Sequence, residues 1–390
     1  MAEIFQFFTA IFLLNFGKVS ALECQQIPAA NFYDGSDFFW PANATGYVTI
    51  PPNFDCTYTI SANITNSSLL FGRVELTNLL KSVNDHITIT DSFGAKTILG
   101  SRSDSYLIYD VFPGKPMTIQ VTTRSVNMNS QFLIHVSYEK VKMAAPRQLK
   151  MGGVMNYVDM SDLRADTQGY SDALEMSLSL AVYNAEYPDS YLRSTYVIDG
   201  DFYNQLAIYH LIDFLHLPKV TISKKITFVS FQQIAYYDTA VVINRLSEAR
   251  QFGSLSAMAS PGGELEKIQF VGDIVKDALQ ILAVEANQIT MDNLVFSDTP
   301  IPPNCIAQVV TGPPNNSSQL ILDLTMAANL MPYTFNLKYF SIIFANCNFS
   351  LSISPPKLVY AQIIVTSALK GVDDVITIID GQGMKTVINR

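Results

Sequence analysis

The chain contains four cysteines and four histidines, residue types that often bind zinc or act in catalysis. They are Cys24, Cys56, Cys305 and Cys347, and His86, His135, His210 and His216. The cysteines lack the close C-x₂₋₄-C spacing of tetrahedral zinc sites, and the histidines lack the H-E-x-x-H spacing of zinc proteases. No G-x-S-x-G sequence marks a serine nucleophile. Because nothing selects a nucleophile, we expect no enzyme, no catalytic residue and no cofactor, although the members of a triad meet only in the fold.

The N-terminus has the pattern of an export signal. Residues 4–16 form an apolar run, and Val19-Ser20-Ala21 supply the small residues that a signal peptidase recognises. The predicted signal peptide spans residues 1–21. The alternative is an uncleaved membrane anchor, but about 13 apolar residues reach only about 20 Å, against a hydrocarbon core of about 30 Å. No later stretch is long and apolar enough to span a bilayer, so we expect a secreted, extracellular protein whose mature chain does not cross a membrane.

Export makes disulfide bonds the expected state of the cysteines. Three pairings are possible, and we expect Cys24–Cys56 with Cys305–Cys347, because each bond then lies inside one predicted domain. Six N-glycosylation sequons suit the same compartment, at Asn43, Asn63, Asn66, Asn315, Asn316 and Asn348. The sequons at Asn315 and Asn316 overlap, so we expect only one of these two residues to carry a glycan.

Charge and composition exclude some classes of protein. The formal net charge is −9 and the basic residues are scattered, which argues against a nucleic-acid partner. Only 15% of the residues are charged and 48% are hydrophobic, a composition that requires several buried cores rather than disorder. A chain of 390 residues exceeds what one core usually supports, so we expect three domains.

A long-period repeat supports this division. Residues 71–101 align without a gap on residues 360–390, at an offset of 289, and 12 of the 31 positions are identical. A period this long indicates a duplicated domain rather than a solenoid. We therefore predict a first domain at residues 22–141, a cysteine-free β-rich domain at 147–300, for which a diverged sandwich is one interpretation, and a second copy of the first at 301–390. The second copy is expected to lack the last strands of the first.

Alternating apolar residues predict strands in the first domain, for example Ile87 with Ile89, and Ile134 with Val136. Turn signals such as Asp91-Ser92-Phe93-Gly94 separate them at the spacing of an antiparallel sandwich. Strict alternation between residues 174 and 182 predicts a strand in the middle domain as well.

Several of these residues also resemble a known family. Cys24, Phe38-Phe39-Trp40-Pro41, residues 50–60 with Cys56, and the segment from Asp85 to Asp91 are similar to the CUB-like domains of nematode secreted proteins. The pattern recurs in residues 347–353 and 374–381. The resemblance implies an all-β fold of tandem jelly-roll (CUB-like) β-sandwiches, here with a β-rich middle domain. It also implies an extracellular role in binding or assembly, in a family similar to proteins of epithelial innate defence.

The resemblance raises the question of calcium. Many CUB domains bind this ion through one Glu and two Asp residues, and Asp85 and Asp374 fall on the central Asp position. The rest of the set is incomplete, because the second copy has Ile364 where the first has Glu75. Calcium requires 6 to 8 oxygen ligands. We therefore expect Asp85 to be a solvated residue at a strand end, with calcium as the weaker alternative and no metal site assigned.

Two functions remain open. The first is non-catalytic recognition or adhesion in epithelial innate defence, with specificity carried on sandwich loops and an extracellular protein or carbohydrate as ligand. The second is a structural or assembly component of a secreted matrix that uses exposed sheet edges.

Overall fold

The computed structural model describes residues 24, 32–41, 44, 46–62, 69–126, 129–150, 152–164, 168–171, 176–182, 189–214, 218–231, 239–260, 265–284, 286–354, 375–379 and 385–389. The predicted signal peptide, the sequons at Asn43, Asn63 and Asn66, and Asp374 lie outside these residues. So does His216. Within the described ranges the chain is almost entirely β-structure, as the sequence predicted.

The first sandwich occupies residues 37–140. Its strands are β1 (Asp37–Trp40), β2 (Val48–Thr49), β3 (Asp55–Ile60), β4 (Leu70–Leu79), β5 (His86–Thr90), β6 (Lys96–Leu99), β7 (Tyr106–Val111), β8 (Met117–Thr122) and β9 (Gln131–Lys140). One sheet has the order β1-β9-β4-β7, with β2 also on β9, and the other has the order β3-β8-β5-β6. Alternate residues of both sheets point inward, and the core contains Trp40, Tyr58, Phe132 and Tyr138.

The second sandwich occupies residues 147–245. Its strands are β10 (Arg147–Gln148), β11 (Asn156–Asp159), β12 (Gln168–Ser171), β13 (Met176–Val182), β14 (Thr195–Gly200), β15 (Gln205–His210), β16 (Lys219–Thr221), β17 (Lys225–Ser230) and β18 (Thr239–Arg245). Short helices accompany them: α1 (Asp189–Ser194), α2 (Leu246–Ala249) and the 3₁₀ turns Met160–Arg164 and Leu211–Phe214. The sheets have the orders β10-β12-β17-β14-β15 and β11-β18-β13-β16.

The third sandwich occupies residues 255–354. Its strands are β19 (Leu255–Ala259), β20 (Glu266–Val271), β21 (Asp277–Leu282), β22 (Ile289–Phe296), β23 (Ile306–Thr311), β24 (Leu320–Asp323), β25 (Tyr333–Phe335), β26 (Tyr339–Ala345) and β27 (Asn348–Ser354). The 3₁₀ turns Leu324–Met326 and Ala328–Leu330 lie between β24 and β25. The sheets have the orders β19-β21-β26-β23-β24 and β20-β27-β22-β25.

All three sandwiches share one strand order. The sheet β1-β9-β4-β7 corresponds strand by strand to β11-β18-β13-β16 and to β20-β27-β22-β25. The sheet β3-β8-β5-β6 corresponds to β12-β17-β14-β15 and to β21-β26-β23-β24. The second and third sandwiches each add one parallel strand, β10 or β19, at the same edge. The chain is therefore a tandem of one topology, and the cysteine-free middle is a complete member of it.

The expected boundary at residues 300 and 301 does not match these sheets. β21 and β22 precede it and pair with β26 and β27, which follow it. The third sandwich therefore takes strands from both sides of residue 300. The sequence placed the boundary wrongly because alternation identifies strands but not their distant partners.

The repeated segment at the C-terminus forms a hairpin of β28 (Val375–Ile379) and β29 (Lys385–Asn389). Its register pairs Ile376 with Ile388, just as β5 and β6 pair Ile87 with Leu99. Both pairs differ by the offset of the sequence repeat, since 376 − 87 and 388 − 99 are each 289. This hairpin belongs to a compact unit separate from the three sandwiches.

Aromatic side chains join the first two sandwiches. Phe112 contacts the rings of Tyr196, Phe202 and Phe231 at centroid distances of 5.4, 5.6 and 6.0 Å. Phe71 stacks on Phe231 at 4.5 Å. All five residues are buried, so this junction is a small hydrophobic core between the two sandwiches.

Asp110 of β7 is a buried acid close to this junction. It pairs across the sheet with Arg73 of β4. Burial raises the pKa of Asp110 to about 7, and Glu139 adds to the effect while Arg73 opposes it. Among the described residues, no donor lies within hydrogen-bond distance of its Oδ1 atom.

We expect Asp110→Asn to stabilise the first sandwich above neutral pH. Burial raises the folded-state pKa, so between about pH 4 and about pH 7 the folded protein still holds a proton that the unfolded chain has released. The stability that wild type has below about pH 4 is therefore lost as the pH rises through about 7. The variant should be more stable than wild type by about 4 kcal/mol at about pH 8 and nearly equal to it at about pH 4. Trp40, the only tryptophan of the chain, is buried in the first sandwich, so urea unfolding followed by its fluorescence reports on this domain. A constant difference at both pH values would contradict the prediction.

The second and third sandwiches meet through their sheet faces. Met155, Ala240 and Val242 pack against Leu282 and Val284. In the same junction the buried amides of Asn244 and Gln280 exchange two hydrogen bonds of 2.8 and 3.0 Å. A buried amide pair is costly unless both partners are satisfied, so it fixes how these two faces align.

Candidate functional site

One end of the first sandwich brings together two loops that the sequence separates by about 40 residues. The β4–β5 loop comprises residues 80–85, and the described part of the β8–β9 loop comprises residues 123–126 and 129–130. We call them together the tethered loops. The sequence folds in this way because β5 pairs with β8 and β4 pairs with β9, which leaves both connections at the same end.

Asp85 joins the tethered loops. Its side chain is fully buried, and its Oδ1 atom accepts hydrogen bonds from the backbone N–H groups of Arg124 and Ser125 at 2.9 and 3.1 Å. Its Oδ2 atom accepts hydrogen bonds from the hydroxyls of Ser125 and Ser130 at 2.7 and 2.6 Å. Burial alone would raise the pKa of Asp85, but these four hydrogen bonds outweigh it and hold the pKa below its ordinary value.

Further hydrogen bonds connect the tethered loops to a third loop, residues 51–54 between β2 and β3. The Thr123 hydroxyl donates to the Pro51 carbonyl at 2.7 Å and accepts from the Phe54 N–H at 3.0 Å. The Ser130 hydroxyl accepts from the Lys81 N–H at 2.9 Å. Side-chain hydrogen bonds therefore fix the backbone at this end, together with the backbone hydrogen bonds from Ile50 N–H to the Ser130 carbonyl and from Thr123 N–H to the Phe54 carbonyl.

The outer surface of the tethered loops is apolar at two points. Val83 is 79% exposed and Val126 is 72% exposed, one on each loop. Beside them, Arg124 lies 3.7 Å from the Asp55 carboxylate. Apolar side chains held out by a rigid backbone can bind a partner at little entropic cost.

Asp85 does not fit a calcium ligand. All four hydrogen bonds use its two oxygens, and the sequence expectation of a solvated residue is wrong because the β8–β9 loop covers it. Nor do the described residues contain any group of three His, Cys, Asp or Glu side chains placed to hold a metal. Asp374, the other candidate, lies outside the described residues.

The geometry at Asp85 predicts that calcium does not stabilise the first sandwich. The midpoint of thermal unfolding, followed by Trp40 fluorescence, should be the same in millimolar calcium and in excess EDTA, because no carboxylate oxygen of Asp85 is left to coordinate the ion. Magnesium at the same ionic strength is the control. A rise that is specific to calcium would show that the hydrogen-bonded state gives way to a metal-bound one.

The same end of the third sandwich is closed by a disulfide. Cys305 directly precedes β23 as Asp85 directly precedes β5, and Cys347 lies between β26 and β27 as Arg124 lies between β8 and β9. The Cys305–Cys347 bond, with a Cα–Cα distance of 5.1 Å, therefore replaces the Asp85 tether. In the second sandwich, the Phe231 N–H donates to the Ser194 carbonyl at 3.4 Å in the corresponding place.

The other disulfide joins Cys24 to Cys56 of β3, with a Cα–Cα distance of 5.4 Å. Both bonds follow the pairing that the sequence favoured. No sequence pattern indicates that the Cys305–Cys347 bond and Asp85 occupy equivalent positions, because a cysteine pair and an aspartate share no residue type.

His135 lies between two carboxylates. Its ring nitrogens lie 3.3 Å from a Glu75 oxygen and 3.1 Å from an Asp37 oxygen, and the ring stacks on Phe39 at 4.5 Å. Both nitrogens therefore have carboxylate partners, an arrangement that holds the ring in place on the outer face of the sheet. It does not present a nitrogen to a substrate. Of the other histidines, His210 packs against Tyr196 and Phe93 at the first junction.

Three sequons fall within the described residues. Asn316 and Asn348 are exposed, and Asn315 is half-buried. No helix in the described part of the chain is long and apolar enough to span a membrane.

Comparison with known proteins gives distant structural matches. No curated protein matches this chain. Among solved structures, the CUB1-EGF-CUB2 domains of rat MASP-1 cover 53% of this chain and 97% of their own, with 10% identity and a TM-score of 0.18. An archaeal virus structure described as a triple jelly roll fold covers 79% and 84%, with 10% identity and a TM-score of 0.21. The extracellular region of zebrafish Gpr126/Adgrg6 covers 83% and 52%, with 9% identity and a TM-score of 0.20. TM-scores this low carry no argument.

The family match is specific to one region. Residues 19–142 match the CUB-like domain family, and this range contains all nine strands of the first sandwich and both tethered loops. CUB-like domains are generally non-catalytic modules of extracellular protein interaction. The first sandwich of this chain is therefore a CUB-like domain.

Proposed function

We propose that this chain is a secreted, non-catalytic glycoprotein that recognises an extracellular protein or carbohydrate through the tethered loops. The observation that carries the proposal is the pair of exposed valines, Val83 and Val126, on loops that the buried Asp85 joins. Exposed apolar side chains on a preorganised backbone are typical of binding surfaces. Epithelial innate defence is the setting that the resemblance to nematode CUB-like proteins supports.

A binding assay with matched variants tests this proposal. The full chain is screened on a glycan array and on intact bacteria, and each ligand found is measured again with Val83→Ser combined with Val126→Ser. Losing two apolar contacts should weaken binding by roughly 10- to 100-fold. Ile98→Ser is the control, because Ile98 is 69% exposed but lies on strand β6 rather than on the tethered loops. Equal binding by all variants would exclude the loops as the site.

The alternative is a structural or assembly component of a secreted matrix. It is supported by a second exposed apolar cluster in the third sandwich, where Val271, Ile274 and Val275 are 73%, 83% and 55% exposed. Sedimentation at increasing concentration separates the two functions. Self-association that Ile274→Ser abolishes, without binding on either screen, would favour the matrix function.

A further inference from the structure

Asn315 and Asn316 begin two overlapping sequons, and their side chains have different surroundings. Both lie in the β23–β24 connection, beside the junction of the second and third sandwiches. The Asn315 Nδ2 atom donates to the Gly152 carbonyl of the second sandwich at 3.1 Å. Its Oδ1 atom accepts from the Ser317 N–H at 2.8 Å. Asn316 is exposed.

The junction leaves little room at Asn315. The neighbouring residues Gly312, Pro313 and Pro314 are buried, and a Cβ atom on Gly312 would lie 2.1 Å from the Gly153 carbonyl oxygen. The backbone of the second sandwich is thus in direct contact with this turn. A sugar on the Asn315 amide would have to occupy the space where the two sandwiches meet.

We propose that the chain carries its glycan here on Asn316 and not on Asn315. This inference rests on the proposed secretion of the chain. In the transfer, the Asn316 amide nitrogen forms a bond to the anomeric carbon of a lipid-pyrophosphate-linked oligosaccharide. The bond from that carbon to the phosphate oxygen breaks, the lipid pyrophosphate leaves, and the amide loses one proton.

The exposed Asn348 is a second acceptor, at the first position of β27. It lies directly opposite Val271 of β20, so the two side chains share the outer face of the sheet. A glycan on Asn348 covers that side of the exposed apolar cluster of the third sandwich. It also serves as an internal reference, because it reports on export independently of the overlapping pair.

Site mapping and two variants test the inference. Full-length protein secreted by eukaryotic cells is deglycosylated enzymatically in heavy-oxygen water, which labels each former glycan site, and the peptides are read by mass spectrometry. We expect label on Asn316 and Asn348 and none on Asn315. Ser317→Ala destroys only the Asn315 sequon and should keep the glycan, whereas Asn316→Gln leaves the Asn315 sequon intact and should lose it.

The outcomes are separable. Label on Asn315, or a glycan retained in Asn316→Gln, overturns the inference, because the amide in the junction would then accept a sugar. Label on Asn348 with none on the overlapping pair also overturns it. The absence of any glycan on the whole chain would instead contradict the proposed secretion.

Discussion

Asp85→Ala should destabilise the first sandwich by about 3–5 kcal/mol. The change leaves two part-buried backbone N–H groups, the part-buried hydroxyl of Ser125 and the buried hydroxyl of Ser130 without their acceptor. A donor that loses its partner away from water costs desolvation energy, most at the buried Ser130 hydroxyl, and these four donors lose their acceptor together. Urea unfolding followed by Trp40 fluorescence measures the difference.

The matched control is Asp91→Ala. Asp91 also accepts two backbone hydrogen bonds, from Phe93 and Ala95, but it closes the turn after β5 and is only half-buried. Its loss should cost about 1 kcal/mol. Equal losses of unfolding free energy in the two variants would show that the burial of Asp85 adds no stability.

The stabilisation by Asp85 should also depend on pH. Its folded-state pKa lies below the ordinary value of 3.8, so the folded protein releases the proton more readily than the unfolded chain does. The stabilisation is therefore present above about pH 4 and is lost as the pH falls through the folded-state value. Wild type should lose stability in this acid range, and Asp85→Ala should lose less.

Replacing both Cys305 and Cys347 by Ala should destabilise the third sandwich by about 4 kcal/mol, the chain-entropy value for a bond that closes a loop of this length. The bond spans 42 residues and holds the connection before β23 to the turn after β26. Hydrogen exchange measures the effect, as a loss of protection in β23 and β26. The Trp40 signal should not change, because that residue lies in the first sandwich.

The matched control is the replacement of Cys24 and Cys56, which should lower the stability that Trp40 reports and leave β23 and β26 protected. A loss of protection spread evenly over all three sandwiches would mean that they unfold as one cooperative unit. In that case the disulfide would not stabilise its own sandwich alone. The equivalence with Asp85 requires that it does.

Several features of this protein could be determined from the sequence alone. The all-β fold followed from alternation, because inward side chains of a strand must be apolar at every second residue. Ile87 and Ile89 show this, since both are buried in β5. The repeat predicted a second copy of the first domain, and the hairpins inside the two repeated segments agree in register residue by residue. These are local properties, which depend on neighbours in the chain.

The tertiary structure alone decided the rest. The third sandwich begins near residue 255 because β19 pairs with β21, and β21 pairs with β26 more than 50 residues later. No pattern within either strand specifies the other. Asp85 is buried rather than solvated because the distant β8–β9 loop covers it. Asn315 and Asn316 each begin a sequon, and it is the packing of the second sandwich against the third that makes their surroundings different. Burial depends on residues far away in the chain, so each of these roles appeared only in the fold.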